Sequence, residues 1–129
     1  MTNLSGSVAF LSPGVRLPYP SQARDHGLVA VGGDLSAERL LEAYQSGLFP
    51  WSANPITWWS PDPRGVLQVG AVHVSRSLAR TLRQAPYTVT FDQDFSAVIR
   101  ACASVPRGGA TSTWISPQLM EAYEQLAQA

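Results

Sequence analysis

The 129-residue sequence predicts a protein of mixed α/β (α+β) class, on three observations. Stretches with apolar residues at helical spacing alternate with short stretches rich in β-branched residues. Apolar residues make up 45% of the chain and charged residues 14%, as in globular proteins. Ten glycines and ten prolines predict long irregular connections. A chain of this length buries roughly two-thirds of its unfolded surface, so one core is expected.

The first part of the chain predicts an arm, an apolar run and a helix. Three prolines among residues 1–20 favour an extended arm over a packed element. An apolar run at 28–31 then leads into a glycine turn. A helix is predicted over 36–46, because Ser36 can cap its start and Gly47 can take the left-handed conformation that often ends a helix.

The stretch FPWSANPITWWSPDPR, residues 49–64, holds three of the four tryptophans and four prolines. Proline fixes one backbone angle and removes an N–H donor, so we expect a stiff loop rather than a helix or strand. Several indoles on such a loop could wall a pocket for an apolar side chain or a base. For any single tryptophan, burial in the core is the alternative. Asp62 is expected to pair with Arg64.

The rest of the chain predicts short strands between helices. Strands are expected over 64–70 and 87–92, and TWI (113–115) is a strand-like fragment. This is little sheet for three amphipathic helices to cover, so this part looks unfinished. We therefore divide the chain into a small N-terminal domain, 1–61, and the first part of a second domain, 62–129.

Each of the three later helices has a start signal. The first is predicted over 75–84 after Ser75, the second after Asp92 or Asp94, and the third after Ser116 and its following proline. The last has no stop signal before residue 129. Apolar residues form one stripe on the second of these helices: Phe95, Val98, Ile99 and Cys102. Cys102 is expected to be buried.

Several kinds of chemistry are not indicated. With one cysteine and only His26 and His73, neither a disulfide nor a metal site is predicted, and no cofactor is expected. The chain has no lysine to complete a phosphate-binding loop, so Asp34 after the paired glycines is expected to bond nearby amides instead. No membrane segment or secretion signal is found, and a cytosolic monomer is expected.

Three arginines point to an anionic partner. Arg76, Arg80 and Arg83 share one face of a predicted helix, and no acidic residue lies between Asp62 and Asp92. Guanidinium groups in a row suit the phosphates of a nucleic acid. The formal charge of the chain is zero, and a solvated polar face is the alternative.

Five strings resemble successive segments of the leucyl/phenylalanyl-tRNA-protein transferase family, from about Gly27 to Leu126. They are GLVAVGGDLSAERLLEAYQSGLFPW, WWSPDPRGVL, HVSRSLARTLR, VTFDQDFSAVIRACA and TWISPQLMEAYEQL. The resemblance implies a bacterial enzyme that moves leucine or phenylalanine from Leu-tRNA or Phe-tRNA to proteins with N-terminal arginine or lysine, for N-end rule degradation. It implies a small N-terminal domain followed by a GNAT-like (acetyltransferase-like) domain.

The resemblance also implies site residues. Trp51 and Trp114 match tryptophans at the pocket for the leucyl or phenylalanyl side chain, and Tyr44 and Tyr123 match tyrosines near it. By the same resemblance, Arg76, Arg80 and Arg83 belong to the tRNA-binding surface. One lysine position of the family is arginine here.

The chain departs from the family pattern at its end. Family members continue after EAYEQL with an HSVE-like segment and strands that carry the acid and amide residues proposed to position the amine. We therefore expect no catalytic residue in this chain, and little activity from it alone. Two alternatives stay open: a non-catalytic RNA-binding or partner-binding remnant of the family, and a purely structural α/β domain.

Overall fold

A computed structural model of the chain describes residues 8–24, 26–106 and 113–129 and confirms the α+β class. The start of the predicted arm and most of the stretch PRGGATS, residues 106–112, lie outside these residues. The four strands in the described part are β1 (Ala9–Leu11), β2 (Leu28–Gly32), β3 (Phe49–Ala53) and β4 (Ile56–Trp59). The four α-helices are α1 (Ala37–Gln45), α2 (Arg76–Gln84), α3 (Phe95–Ser104) and α4 (Pro117–Leu126).

The strands form one mixed sheet in the order β1-β2-β4-β3. Strand β1 runs parallel to β2, with Ala9 opposite Ala30, and the other two pairs are antiparallel. The prediction of an unpacked arm is therefore wrong for residues 9–11. The prolines lie after β1, so they leave its three residues free to pair, and Leu11 packs against the core.

The tryptophan-rich stretch is a β-hairpin at the edge of the sheet, which corrects the predicted loop. Pro50 lies in the edge strand β3 opposite Trp58, and proline is tolerated at an edge where its missing N–H faces away from the ladder. Pro55 lies in the turn between the strands. Trp58 is fully buried, and its Nε1 donates a hydrogen bond to the Gly32 carbonyl oxygen at 3.0 Å.

Helix α1 forms as predicted and covers the sheet. Ser36 Oγ accepts a hydrogen bond from the Arg39 backbone N–H at 3.3 Å, and Gly47 has a φ of 79°. The apolar face of α1 joins buried residues of the sheet and of α4: Val29, Ala30, Leu40, Ala43, Leu48, Trp58 and Ala122.

The turn before α1 carries a charged cluster. Asp34 accepts hydrogen bonds from the backbone N–H and the hydroxyl of Ser36, at 3.2 and 2.6 Å, as predicted. The hydroxyl bond is the main reason that the pKa of Asp34 is lowered. Buried Arg39 contacts Asp34 at 3.8 Å and Glu42 at 2.7 Å, so the two carboxylates balance its charge.

The segment around α2 has few packed residues. Helix α2 starts at the predicted cap, where Ser75 accepts from the Leu78 backbone N–H, but none of its residues is buried. The strands predicted over 64–70 and 87–92 do not form, and 113–115 is not a strand. Strand pairing needs a partner, and none of the four described strands pairs with these segments.

Helix α3 packs against α4, and α4 packs against the earlier elements of the fold. Asp94 occupies the cap position of α3 but its side chain makes no capping bond, whereas Ser116 caps α4 as predicted. Cys102 is exposed, which corrects the expectation of burial; among the described elements, α3 packs mainly against α4. Leu119 is fully buried where α4 packs against α1 and β3. The domain boundary at residue 61 stays a prediction.

Candidate functional site

The first candidate site is an apolar pocket between α1, α3 and α4, which we call the tyrosine pocket. Its volume is about 250 Å³. The predicted stripe of α3 forms one wall, and residues from the other elements complete it. The lining residues are Tyr44, Phe95, Val98, Ile99, Cys102, Trp114, Ile115 and Tyr123. Three residues predicted at the substrate site, Tyr44, Trp114 and Tyr123, therefore lie in one pocket although they are far apart in sequence.

Two polar contacts hold the walls of the tyrosine pocket. The hydroxyl oxygens of Tyr44 and Tyr123 lie 2.5 Å apart and share a hydrogen bond between α1 and α4. Burial, followed by this bond, raises the pKa of Tyr123 well above its usual value. Arg100 on α3 contacts Glu124 on α4 at 3.0 Å. The pocket thus has apolar walls and one hydrogen-bonded phenol pair, with no charged group among the described residues that line it.

The second candidate site lies on the hairpin and is called the tryptophan pocket. Its volume is about 500 Å³. Two indoles and a proline give it flat apolar walls, while three side chains add polar groups. It is lined by His26, Trp51, Ser52, Thr57, Trp59 and Pro61. Trp51 is thus separated from Tyr44, Trp114 and Tyr123, since the two pockets share no lining residue.

Aromatic contacts and one glycine shape the tryptophan pocket. The Trp51 ring lies 5.4 Å from Trp59 in an edge-on arrangement and 5.8 Å from Phe49. Gly27 has a φ of 125°, and a Cβ there would lie 2.5 Å from the Pro61 Cα. Only glycine fits this close approach, which brings Pro61 beside the indoles.

Arg64 supports the same hairpin in a way that the sequence did not indicate. Its guanidinium donates a hydrogen bond to the Gly47 carbonyl oxygen at 2.8 Å and lies 5.5 Å from the centre of the Phe49 ring. The expected pairing with Asp62 is therefore wrong. The carbonyl groups at a helix end attract a cation, so Arg64 stacks over Phe49 and bonds to the end of α1 instead.

The three predicted tRNA-binding arginines lie exposed on α2. None of Arg76, Arg80 and Arg83 forms an ion pair with a carboxylate of the described residues. By contrast, Arg16, Arg39 and Arg100 are all paired. The α2 guanidiniums are therefore available to an external anion. We call them the arginine face.

Within residues 8–24, 26–106 and 113–129, no group of three histidine, cysteine or acidic side chains could hold a metal ion. No helix in that part of the chain is long and apolar enough to cross a bilayer.

Sequence reasoning missed several residues of both pockets. Val98 and Ile99 were predicted as an apolar stripe but not as a pocket wall, because spacing does not reveal what the stripe faces. The polar residues His26, Ser52 and Thr57 carried no signal, since only the pairing of β4 with β2 and β3 brings them near the indoles.

Two sequence models of one family match the chain. The model described as leucyl/phenylalanyl-tRNA protein transferase N-terminal domain matches residues 33–62. The model described as leucyl/phenylalanyl-tRNA protein transferase matches residues 66–129. Together they include both sides of the tyrosine pocket and all of α2.

Several proteins named leucyl/phenylalanyl-tRNA–protein transferase are similar to this chain. That of Ectopseudomonas mendocina is 61% identical over 105 residues, or 80% of this chain and 46% of its own length. The Pseudomonas fluorescens protein is 58% identical over 118 residues, or 87% of this chain and 52% of its own. The Solidesulfovibrio magneticus protein is 54% identical over 114 residues, or 87% and 46%. This chain spans about half the length of these relatives.

These matches first define a class, the aminoacyltransferases that use aminoacyl-tRNA, to which proteins of this name belong. The three relatives are at least 54% identical over most of the chain, and both sequence models that match it belong to one family. The family within this class is therefore specific. The chain belongs to the leucyl/phenylalanyl-tRNA protein transferase family.

Proposed function

We propose that this chain binds the aminoacyl end of Leu-tRNA or Phe-tRNA for transfer to a protein with N-terminal arginine or lysine, in N-end rule degradation. The observation that carries the proposal is the tyrosine pocket, in which Tyr44, Trp114 and Tyr123 converge within apolar walls. Such a pocket takes an uncharged side chain by burial and shape. Family membership supports the choice of leucine and phenylalanine.

The chemistry of the pocket explains why two side chains would be accepted. An apolar pocket distinguishes side chains that differ by one methylene by only about 1 to 3 kcal/mol. It rejects charged side chains much more strongly, because these lose their hydration without gaining a partner. We propose that Trp51, in the tryptophan pocket, contributes a second apolar surface to the same bound aminoacyl-tRNA.

In the proposed reaction, the α-amine of the acceptor protein attacks the ester carbonyl carbon of the aminoacyl-tRNA. A C–N bond forms, the ester C–O bond breaks, and the tRNA hydroxyl leaves with the proton that the amine loses. The ester is already activated, so no ATP or cofactor is needed. The chain offers surfaces that hold the ester substrate. We propose that the groups that position the amine come from the GNAT-like part of the family fold. We also propose that the protein acts as a monomer in the cytoplasm.

The arginine face supports the tRNA part of the proposal. Three exposed guanidiniums without carboxylate partners can each bind phosphate oxygens. They lie on α2, within the residues matched by the transferase model.

Binding of charged tRNAs tests the proposal. We expect tighter binding of Leu-tRNA and Phe-tRNA than of the same tRNAs without an amino acid or of aspartyl-tRNA. Trp114→Ala should reduce this preference about tenfold, because it removes an apolar wall of the tyrosine pocket. The exposed Tyr87→Ala serves as the control, since Tyr87 lines neither pocket. Equal affinity for all these tRNAs would contradict the proposal.

The alternative function is a non-catalytic RNA-binding or partner-binding remnant of the family. It is favoured by the arginine face, which lies outside both pockets and could bind RNA without them. Binding that depends on Arg76, Arg80 and Arg83 but ignores the attached amino acid would support this alternative. Transfer of labelled leucine to a protein with N-terminal arginine, catalysed by this chain alone, would exclude it.

A further inference from the structure

An ion pair lies at the edge of the tyrosine pocket and joins two of its walls. The Nη1 group of Arg100 on α3 donates a hydrogen bond to Oε1 of Glu124 on α4 at 3.0 Å. Arg100 directly follows Ile99 in the sequence. Glu124 directly follows Tyr123, and both Ile99 and Tyr123 line the pocket. Successive residues of a helix point about 100° apart, so the ion pair lies beside the lining side chains and not among them.

Helix α3 is held in place by a small buried surface. It supplies half of the lining residues of the tyrosine pocket, yet among its own residues only Ile99 is buried. Its cap residue Asp94 makes no side-chain bond to the helix, and none of the four described strands pairs with the preceding stretch 87–92. Among the described elements, α3 packs mainly against α4. The contact between Arg100 and Glu124 therefore links a lightly anchored wall to a helix that belongs to the core.

We propose that Arg100 and Glu124 are positioning residues for the aminoacyl side chain, because their ion pair holds α3 against α4 and so fixes the width of the tyrosine pocket. This role rests on the proposed function, in which that pocket takes the leucyl or phenylalanyl group. Neither residue lines the pocket, so both act through α3 and α4.

The width of an apolar pocket determines how closely its walls contact a bound side chain. A gap of about 0.5 to 1 Å forfeits a quarter to a half of a van der Waals contact. An exposed ion pair contributes little to the stability of a whole fold, and the Arg100 side chain is 63% exposed. Its removal should therefore change the fit of the pocket more clearly than it changes the global stability.

Substitutions on the two helices of the full chain test this role. Glu124→Gln keeps the size of the side chain and removes its charge, so the preference for Phe-tRNA over the same tRNA without an amino acid should fall about two- to fivefold. Arg100→Glu places two carboxylates together and should reduce the preference further. Combining Arg100→Glu with Glu124→Arg should restore it, because the pair forms again with its charges reversed. A double variant that binds no better than the single variants would overturn the proposal.

Glu121→Gln is the matched control on the same helix. Glu121 is exposed and forms no ion pair with a described basic residue, so this variant should keep the preference. Amide hydrogens of α3, including that of Ile99, should exchange about two to five times faster in Glu124→Gln than in Glu121→Gln, since α3 separates from α4 more often. Faster exchange with an unchanged preference would make the pair merely structural and the positioning role wrong.

The binding measurements separate the failure of this role from the failure of the proposed function. If the unaltered chain binds Phe-tRNA no more tightly than the same tRNA without an amino acid, the proposed function fails and the positioning role fails with it. If the unaltered chain has the preference and Glu124→Gln keeps it in full, only the positioning role is overturned.

Discussion

At the scale of the residue, Arg64 joins the end of α1 to the hairpin that carries the tryptophan pocket. It bonds to the Gly47 carbonyl oxygen after α1 and stacks over Phe49, whose ring contacts Trp51. Trp51 in turn contacts Trp59. A single guanidinium therefore restrains one end of a row of three aromatic rings.

We predict that Arg64→Met lowers the free energy of unfolding by about 1 kcal/mol, because it removes a charge-assisted hydrogen bond and a cation–π contact. It should also weaken the near-ultraviolet circular dichroism of the tryptophans, as the rings lose their fixed arrangement. Arg76→Met is the control, since Arg76 is exposed and forms no ion pair with a described carboxylate. Unchanged tryptophan signals in Arg64→Met would contradict a positioning role.

The tyrosine pair gives a prediction on pH. Burial and the bond to Tyr44 raise the pKa of Tyr123 above its ordinary value of 10.0, so the neutral phenol is favoured in the folded state. The stability that Tyr123 contributes is then present below pH 10 and is lost as the pH rises through the raised value. In an absorbance titration, we expect Tyr123→Phe to leave the amplitude near pH 10 unchanged, because the raised pKa keeps Tyr123 protonated there in the folded protein. If Tyr123→Phe lost the absorbance change of one tyrosine near pH 10, the raised pKa of Tyr123 would be refuted.

At the scale of the element, α2 is a helix whose polar and apolar faces are both exposed. Its caps are local, which explains why it forms with no buried residue. The arginine face and Leu82 lie on opposite sides of α2. Changes on one face can therefore be tested against changes on the other.

We predict that replacing Arg76, Arg80 and Arg83 together by glutamine weakens tRNA binding and flattens its dependence on salt. Each lost phosphate contact should reduce the slope of log affinity against log salt by about 0.7 to 0.9. The slope is measured by filter binding over a salt series. Leu82→Gln, on the same helix, should leave it unchanged. An unaltered slope in the triple variant would make the arginine face a solvated surface.

The elements also show what the sequence could predict. Helices α1, α2 and α4 were predicted correctly because a serine cap and a periodic stripe are local signals. The sheet was not, since its pairings join residues such as Ala9 and Ala30. Prolines were taken to exclude strands from the tryptophan-rich stretch, but Pro50 lies at an edge and Pro55 in a turn.

At the candidate site, too, the sequence did not show which distant residues lie together. Tyr44, Trp114 and Tyr123 were chosen by family resemblance, and the structure brings them to one pocket. Spacing alone could not have done so, because tertiary packing of α4 on α1 closes the pocket. Trp51 was grouped with them in the sequence but lines the separate tryptophan pocket.

At the scale of the whole molecule, the core is built from two distant parts of the chain. Strand β2, α1 and the hairpin supply most of it, and α4 contributes Ala122. Leu119 of α4 is also fully buried. Helix α4 thus stabilises a body whose other members end at Trp59, long before α4 begins at Pro117.

We predict that Leu119→Ala lowers the free energy of unfolding by about 2 to 5 kcal/mol, because Leu119 is fully buried and its loss leaves a cavity. Leu82→Ala, at a leucine that is 61% exposed, should change stability by no more than about 0.5 kcal/mol. Urea denaturation followed by tryptophan fluorescence measures both. Similar effects of the two changes would show that α4 is not part of the cooperative core.

This shared core has a consequence for a chain that is cut. A protease that cleaves between Gly65 and Ala71, where every side chain is exposed, would sever the backbone without touching the packed body. The later fragment would still hold α4 against α1 through the paired phenols of Tyr44 and Tyr123. The nicked protein should therefore migrate as one particle in native gels and as two bands once denatured.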